Sequence, residues 1–393
     1  MASAADGRSV GGATLARACT IVARSASFVL FLVCIASGLF GEDQALQNLT
    51  PVTIYVMVWV AVPFLSAFAG DLWKVVSPFE TIGLVVEQLR DSKSSKTLEH
   101  HLFAVATIFG FLFLELAHPS GSSPRVLAYA MVVYTLIATG GILIWGNSWL
   151  RNGEGFGVLF RLIAAMSPVY RSPSGEIRLR VPLAGLSTIE VLPGTVALIL
   201  LALAGTSFDG FSESEDFVDL VGQQSGWAGV SPTVIGLLAM FVIAAGLYWL
   251  GSKFTSNVTG MSATDAMRLF APSLVPIVWG YLLAHYALLL IDETQRFWYL
   301  LSNPYGSIDD AGNPVVNIFG AAGGTIDFEL VNLDVVAWIQ TIAILVGHIA
   351  GVMVAHDIGI DRYDRVQAIR SQYAMLFVMM IYSVGGLALL FNG

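Results

Sequence analysis

Residues 334–356, DVVAWIQTIAILVGHIAGVMVAH, indicate the fold class of this chain. About 20 mainly apolar residues are needed for a helix to cross the hydrocarbon core of a membrane, and this run is long enough. Its ionisable side chains are Asp334 at one end, His356 at the other and His348 inside the run. The stretch therefore predicts a transmembrane helix that carries a buried histidine.

The composition extends this prediction to the whole chain. Hydrophobic residues make up 56% of its 393 residues and charged residues only 12%, whereas about 25% of a soluble domain is charged. Cys19 and Cys34 form no CxxC or zinc pattern, so we expect neither a disulfide nor a cysteine metal site. A soluble protein is excluded, and a multi-span membrane protein is predicted.

Further apolar runs of about the same length predict an all-α, polytopic transmembrane bundle with about nine membrane-spanning helices. The predicted spans are 20–40, 52–70, 101–118, 125–146, 189–207, 232–252, 270–291, 334–356 and 371–391.

The basic residues predict the orientation of the bundle. Seventeen of the 19 lysines and arginines fall in alternate connecting segments, and only Arg125 and Arg296 fall in the others. Since basic residues collect on the cytoplasmic side, the N-terminus is predicted inside and the C-terminus outside a prokaryotic cell membrane. We predict that residues 1–19 form a cytoplasmic segment and that residues 20–393 form one transmembrane domain. A cleaved signal peptide is the alternative interpretation of the first run.

The connections also have predicted structure. Residues 78–91 and 150–166 carry apolar residues at three- to four-residue spacing between charges, which predicts two amphipathic helices in the membrane interface. Residues 208–231 and 292–333 are acidic and predicted to be outer loops.

Two histidines inside membrane helices are the main candidate site residues. Ionisable groups at membrane depth are costly and usually face a partner or a cavity. We therefore predict that His285 and His348 form the centre of a polar site, with zinc or copper as a candidate metal ion. Asp292 lies two turns beyond His285 on the same face. The alternative for both histidines is a packing contact between helices.

Other ionisable residues are candidates with weaker support. Glu115 and His118 form an i, i+3 pair near the predicted outer surface, a spacing that can hold a metal. Asp71, His356 and Asp357 are predicted at the cytoplasmic rim, where water is available and a gating or anchoring role is expected.

Several short motifs resemble a family of multi-pass prokaryotic membrane proteins that are often labelled "fenitrothion hydrolase". The resemblance covers about residue 40 to the end and implies the membrane fold and location. Its label implies organophosphate hydrolysis but brings no catalytic residues with it. The matching motifs are Gln47-Asn48-Leu49-Thr50-Pro51, Gly70-Asp71, Trp149-Leu150-Arg151 with Glu154, Met166-Ser167-Pro168, Phe208-Asp209-Gly210-Phe211, Ala284-His285-Tyr286, Gly347-His348, Ala355-His356-Asp357 and Arg370-Ser371-Gln372-Tyr373.

Three functions remain open from the sequence. The favoured one is handling or translocation of a proton, a metal ion or a small solute along a polar path through His285 and His348. The second is a membrane-embedded hydrolase in which a divalent metal activates water. The third is an accessory subunit of a membrane complex. We expect contact with the lipid bilayer and no nucleic-acid partner, and homo-oligomerisation stays open.

Overall fold

The protein is an all-α helical bundle whose apolar helices identify it as a multi-pass membrane protein. The structure is a computed structural model, which describes residues 8–11, 13–89, 96–172, 174–221, 224 and 226–392. Seven of the described helices are long and apolar enough to cross a membrane. They are Arg17–Phe40, Leu49–Ala69, Pro124–Trp145, Thr195–Ser212, Trp227–Thr259, Ala263–Ser302 and Leu333–Arg362.

The other two predicted spans also coincide with helices. Leu102–Ala117 is a shorter apolar helix, and Arg365–Asn392 includes the predicted ninth span. The count of about nine spans and the inward direction of the N-terminus stay predictions.

The first half of the chain contains eight described helices, and two of them include π-helical segments, Val52–Ala61 and Phe113–Ala117. In chain order the helices are α1 (Ala13–Phe40), α2 (Leu49–Ala69), α3 (Trp73–Val76), α4 (Pro78–Leu89), α5 (Leu102–Ala117), α6 (Pro124–Trp145), α7 (Asn147–Asn152) and α8 (Gly155–Ala164).

The second half contains seven described helices. A 3-10 turn, Ala271–Leu274, joins two of them, Ala263–Phe270 and Val275–Ser302, into one continuous helical segment. The helices are α9 (Thr195–Ser212), α10 (Glu215–Val221), α11 (Trp227–Thr259), α12 (Ala263–Phe270), α13 (Val275–Ser302), α14 (Leu333–Arg362) and α15 (Arg365–Asn392).

A small antiparallel sheet, which the sequence analysis did not predict, connects the N-terminal segment to the connection after α8. Strand β1 (Arg8–Gly11) and strand β2 (Val169–Arg171) both pair with β3 (Ile177–Leu179). Most of the predicted 1–19 segment is therefore structured, because α1 already begins at Ala13. Residues 1–7 and 12 lie outside the described residues.

Helices occupy both intervals that were predicted to be interfacial. Helix α4 lies within 78–91, whereas 150–166 contains the end of α7 and then α8. Eight of the ten residues of α8 are buried, including Phe156, Leu159 and Phe160. Its apolar face thus packs inside the protein rather than only against lipid.

Helices α13 and α14 cross at glycines, where their backbones come into direct contact. A Cβ atom on Gly347 would lie 2.6 Å from the carbonyl oxygen of Pro276 and 3.2 Å from the Cα atom of Gly280. Small residues allow such close packing between membrane helices, where burial of apolar surface supplies little net attraction. The crossing holds α13, which carries His285, against α14, which carries His348.

Gly347→Ala is expected to lower the stability of the protein by about 1–3 kcal/mol, because the added methyl group overpacks a backbone contact. Gly246→Ala in α11 is the control, since no atom lies within 4 Å of its Cβ position. Thermal unfolding of the purified proteins in detergent measures both changes. Equal unfolding temperatures for the two variants would contradict the proposed role of this crossing.

Several predicted helix ends are wrong. Helix α13 continues to Ser302 and α14 to Arg362, so Asp292, His356 and Asp357 lie inside helices rather than at their ends. Helix α9 continues to Ser212, which places Asp209 in a helix instead of the predicted outer loop. Hydropathy detects only an uninterrupted apolar run, and charged residues such as Asp292 and Glu293 end the run in α13 before the helix itself ends.

Candidate functional site

Three helices bring four polar side chains together inside the bundle. Asp209 lies near the end of α9, His285 and Tyr286 lie in α13, and Glu115 lies in the π-helical end of α5. We call these four residues the Asp209 cluster. π-Helical turns inside α-helices are frequent at functional sites, because they change the direction in which a side chain projects.

Asp209 is the centre of the cluster. Its Oδ2 atom lies 2.8 Å from Nε2 of His285 and accepts a hydrogen bond from the hydroxyl of Tyr286 at 2.6 Å. The same hydroxyl lies 3.4 Å from Oε1 of Glu115. The four groups therefore form a continuous hydrogen-bonded chain in the order Glu115, Tyr286, Asp209, His285.

The chain restricts where protons can reside. A tyrosine hydroxyl has one proton, which cannot be donated to two carboxylates at once. When Tyr286 donates to Asp209, its contact with Glu115 is a hydrogen bond only if Glu115 carries a proton and donates it. In this arrangement Glu115 is the carboxyl group that needs a proton, and Asp209 is the carboxylate that accepts hydrogen bonds from Tyr286 and His285.

The surroundings of the cluster are partly open and partly sealed. The side chains of His285 and Asp209 keep 21% and 15% of their accessible surface. Oε2 of Glu115 is buried and has no hydrogen-bond partner among the described residues. The fully buried Trp59 lies beside the Tyr286 hydroxyl. One carboxyl oxygen of Glu115 is therefore sealed inside the protein, whereas the side chains of His285 and Asp209 are partly exposed.

His348 lies in a different environment. Its Nδ1 atom is 2.8 Å from the carbonyl oxygen of Ile344 in the preceding turn, and its ring packs 5.8 Å from the ring of Tyr281. Because a carbonyl oxygen only accepts, Nδ1 carries the proton and the neutral ring has its lone pair on Nε2. That Nε2 atom is buried without a partner among the described residues. The ring contact with Tyr281 of α13 agrees with the interpretation of His348 as a packing contact between helices.

The structure therefore gives His285 a partner that the sequence analysis did not assign. The predicted neighbour Asp292 lies seven residues farther along α13, and His285 instead contacts Asp209. His356 and Asp357 are partly exposed in the later turns of α14. Neither side chain is hydrogen-bonded or ion-paired to the described part of the chain. These three residues are not members of the Asp209 cluster.

Asp71 lies far from the cluster along α2. Tyr55, in the first turns of α2, donates a hydrogen bond to the carbonyl of Gly121, near Glu115. Asp71 lies sixteen residues after Tyr55, which is roughly 20 Å farther along the helix axis. Its carboxylate accepts a hydrogen bond from the backbone of Lys74 at 3.1 Å. Burial raises the pKa of Asp71 despite the nearby charge of Arg161. Asp71 lines a separate pocket with several basic residues.

Glu154 is a second buried polar centre, which the sequence analysis did not place among the site residues. Its carboxylate accepts hydrogen bonds from Nε1 of Trp73 at 2.8 Å and from the hydroxyl of Tyr134 at 2.5 Å. It also caps α8 by accepting from the backbone N–H groups of Phe156 and Gly157 at 3.1 and 2.6 Å. Glu154 therefore connects α3, α6 and α8, and its contacts are structural.

Within the described ranges, no group of three or more histidine, cysteine, aspartate or glutamate side chains is arranged to hold a metal ion. His285 and His348 also have different polar partners. The zinc or copper site at these two histidines stays a prediction. Glu115 and His118 also have different polar partners. Nδ1 of His118 accepts a hydrogen bond from the backbone N–H of Ser120 at 3.1 Å.

Comparison of the chain with protein-family models, with curated proteins and with solved structures finds no match. The functional argument therefore rests on the residues themselves. Asp209 and Tyr286 are the site residues that the sequence analysis missed. Both stand in motifs that carry the resemblance, Phe208-Asp209-Gly210-Phe211 and Ala284-His285-Tyr286, so a signal for them was present.

Proposed function

We propose that this membrane protein handles protons, and that the Asp209 cluster is the site at which a proton is bound and passed on. The observation that carries the proposal is the continuous chain from Glu115 through Tyr286 and Asp209 to His285. Each of these groups can both hold and release a proton. Placing such ionisable groups among apolar helices is costly.

The chemistry of each residue supports a role in the path. The imidazole ring of His285 can take up and release a proton, and it is partly exposed. Asp209 accepts from His285 and Tyr286 through one oxygen atom, and the tyrosine hydroxyl links it to Glu115. A proton can thus reach Asp209 from either side, from His285 directly or from Glu115 through the Tyr286 hydroxyl.

The direct test is proton movement in liposomes that contain the purified protein and a trapped pH-sensitive dye. After a pH jump, His285→Gln is expected to slow dye response by at least about tenfold, because glutamine cannot take up the proton. His356→Gln is the matched control, since His356 lies in α14 outside the cluster. If His285→Gln responds at the wild-type rate, the proposal is wrong.

A second readout examines the protonated carboxyl group. Infrared spectroscopy in H2O and D2O is expected to detect a buried, protonated carboxyl stretch that disappears in Glu115→Gln. Glu213→Gln changes an exposed glutamate and is expected to leave the band unchanged. A band that persists in Glu115→Gln would contradict the proposed proton position.

Hydrolysis of an organophosphate ester, the activity implied by the resemblance, is the alternative proposal. It would require metal ligands that converge on one point, and the described side chains do not supply three of them. We therefore favour proton handling.

A further inference from the structure

A second site lies at the predicted cytoplasmic end of the bundle, far from the Asp209 cluster. A pocket of about 800 Å³ opens between α1, the turn after α2, α8 and the small sheet. Pockets of this volume are typical of small-molecule sites. Its acidic lining residues are Asp71 and Glu190. Its basic lining residues are Arg24, Lys74, Arg151, Arg161, Arg171 and Arg180.

Most of these basic side chains form no close ion pair with the described part of the chain. Arg24 pairs with Glu80 at 3.6 Å. Within the described residues, the other five basic side chains have no carboxylate oxygen within the 4.0 Å of an ion pair. By contrast, Arg178 and Arg296 outside the pocket do pair with neighbouring glutamates. The pocket therefore has an excess of unpaired positive charge.

Backbone carbonyl groups hold several of the guanidinium groups in place. Nε of Arg180 donates to the carbonyl of Ser167 at 2.9 Å, and Arg161 donates to the carbonyl of Arg151. Arg24 donates to the carbonyl of Lys74 at 2.8 Å, while its Nε atom is buried with no described partner. Each guanidinium has five N–H groups, so donors remain available for a ligand. Burial lowers the pKa of Arg161, a cost that a bound anion would offset.

We propose that this pocket binds a phosphate group with net negative charge, carried by an anionic lipid headgroup or by a free phosphate. The planar donors of arginine match the oxygens of a phosphate, and several arginines converge here. All six basic residues belong to segments predicted to be cytoplasmic, the side on which basic pockets between membrane helices bind anionic headgroups. This inference is independent of the proposed proton site.

The test is binding to the delipidated protein in a neutral detergent. Calorimetric titrations use inorganic phosphate, short-chain phosphatidylglycerol and, as the zwitterionic control, short-chain phosphatidylcholine. We expect saturable binding of phosphate, of phosphatidylglycerol or of both, and none of phosphatidylcholine. Binding of phosphatidylglycerol alone assigns the site to a lipid, whereas inorganic phosphate that binds and displaces the lipid assigns it to free phosphate.

The double variant Lys74→Gln/Arg151→Gln removes two pocket charges but keeps the backbone carbonyls that hold Arg24 and Arg161. The affinity of this variant for the anion is expected to fall by about tenfold or more. A fall of that size corresponds to the loss of at least one charge-assisted hydrogen bond. Arg125→Gln/Lys253→Gln makes the same charge change elsewhere and is expected to keep the wild-type affinity. The proposal is overturned if neither anion binds, if phosphatidylcholine binds equally, or if both double variants lose the same affinity.

Discussion

Asp209→Asn is expected to slow proton movement through the protein by about 100-fold or more, in the range found when a proton-transferring group is removed. Oδ2 of Asp209 accepts from both His285 and Tyr286, so the substitution interrupts the chain at its centre. Asparagine has almost the same shape but cannot take up a proton from either neighbour. The measurement is the response of a trapped pH-sensitive dye after a pH jump across the liposome membrane.

Asp216→Asn is the control for this experiment. Asp216 lies seven residues later in α10, where it is exposed, and the substitution makes the same change in charge. We expect it to move protons at the wild-type rate. Thermal unfolding should show that both variants are folded. Equal rates for Asp209→Asn, Asp216→Asn and wild type would exclude the Asp209 cluster as a proton path.

Glu154→Ala is expected to destabilise the protein by about 4 kcal/mol or more, since four buried or partly buried donors lose their acceptor at about 1–3 kcal/mol each. The donors are Nε1 of Trp73, the hydroxyl of Tyr134 and the N–H groups of Phe156 and Gly157. This loss is comparable with the whole stability of many proteins, about 5–15 kcal/mol. The measurement is thermal unfolding in detergent together with the yield of folded protein.

Two further variants make the Glu154 experiment decisive. Glu154→Gln keeps one oxygen acceptor and should unfold at a temperature between those of wild type and Glu154→Ala. Glu99→Ala removes an exposed glutamate from the connection before α5 and should behave like wild type. If Glu154→Ala unfolds at the same temperature as Glu99→Ala, the four hydrogen bonds contribute little to stability.

The membrane fold was predictable because the length of an apolar run is a local property of the chain. Residues 334–356 and the other long runs had to be helical, since an unpaired backbone cannot be tolerated in hydrocarbon. The ends were less predictable. Helix α13 extends eleven residues beyond its predicted end at 291, because the charged residues from Asp292 to Arg296 interrupt the apolar run without ending the helix.

The candidate site was predictable only in part. His285 and Glu115 were found by the high cost of ionisable groups inside membrane helices. Asp209 was missed because Glu213, Glu215 and Asp216 follow it and made the segment resemble an acidic loop. His348 was paired with His285 from their approximate depths, whereas the structure turns it toward Ile344 and Tyr281.

The sequence by itself determined that this chain is a helical membrane protein and which of its side chains are too costly to be buried without a partner. Composition and periodicity carry that information because hydrophobic burial depends on local residue type. Only the tertiary structure decided the partners: Asp209 with His285, and Glu154 with Trp73 and Tyr134. Such pairs depend on how helices far apart in sequence cross, and close contacts such as that between Gly280 and Gly347 set those crossings.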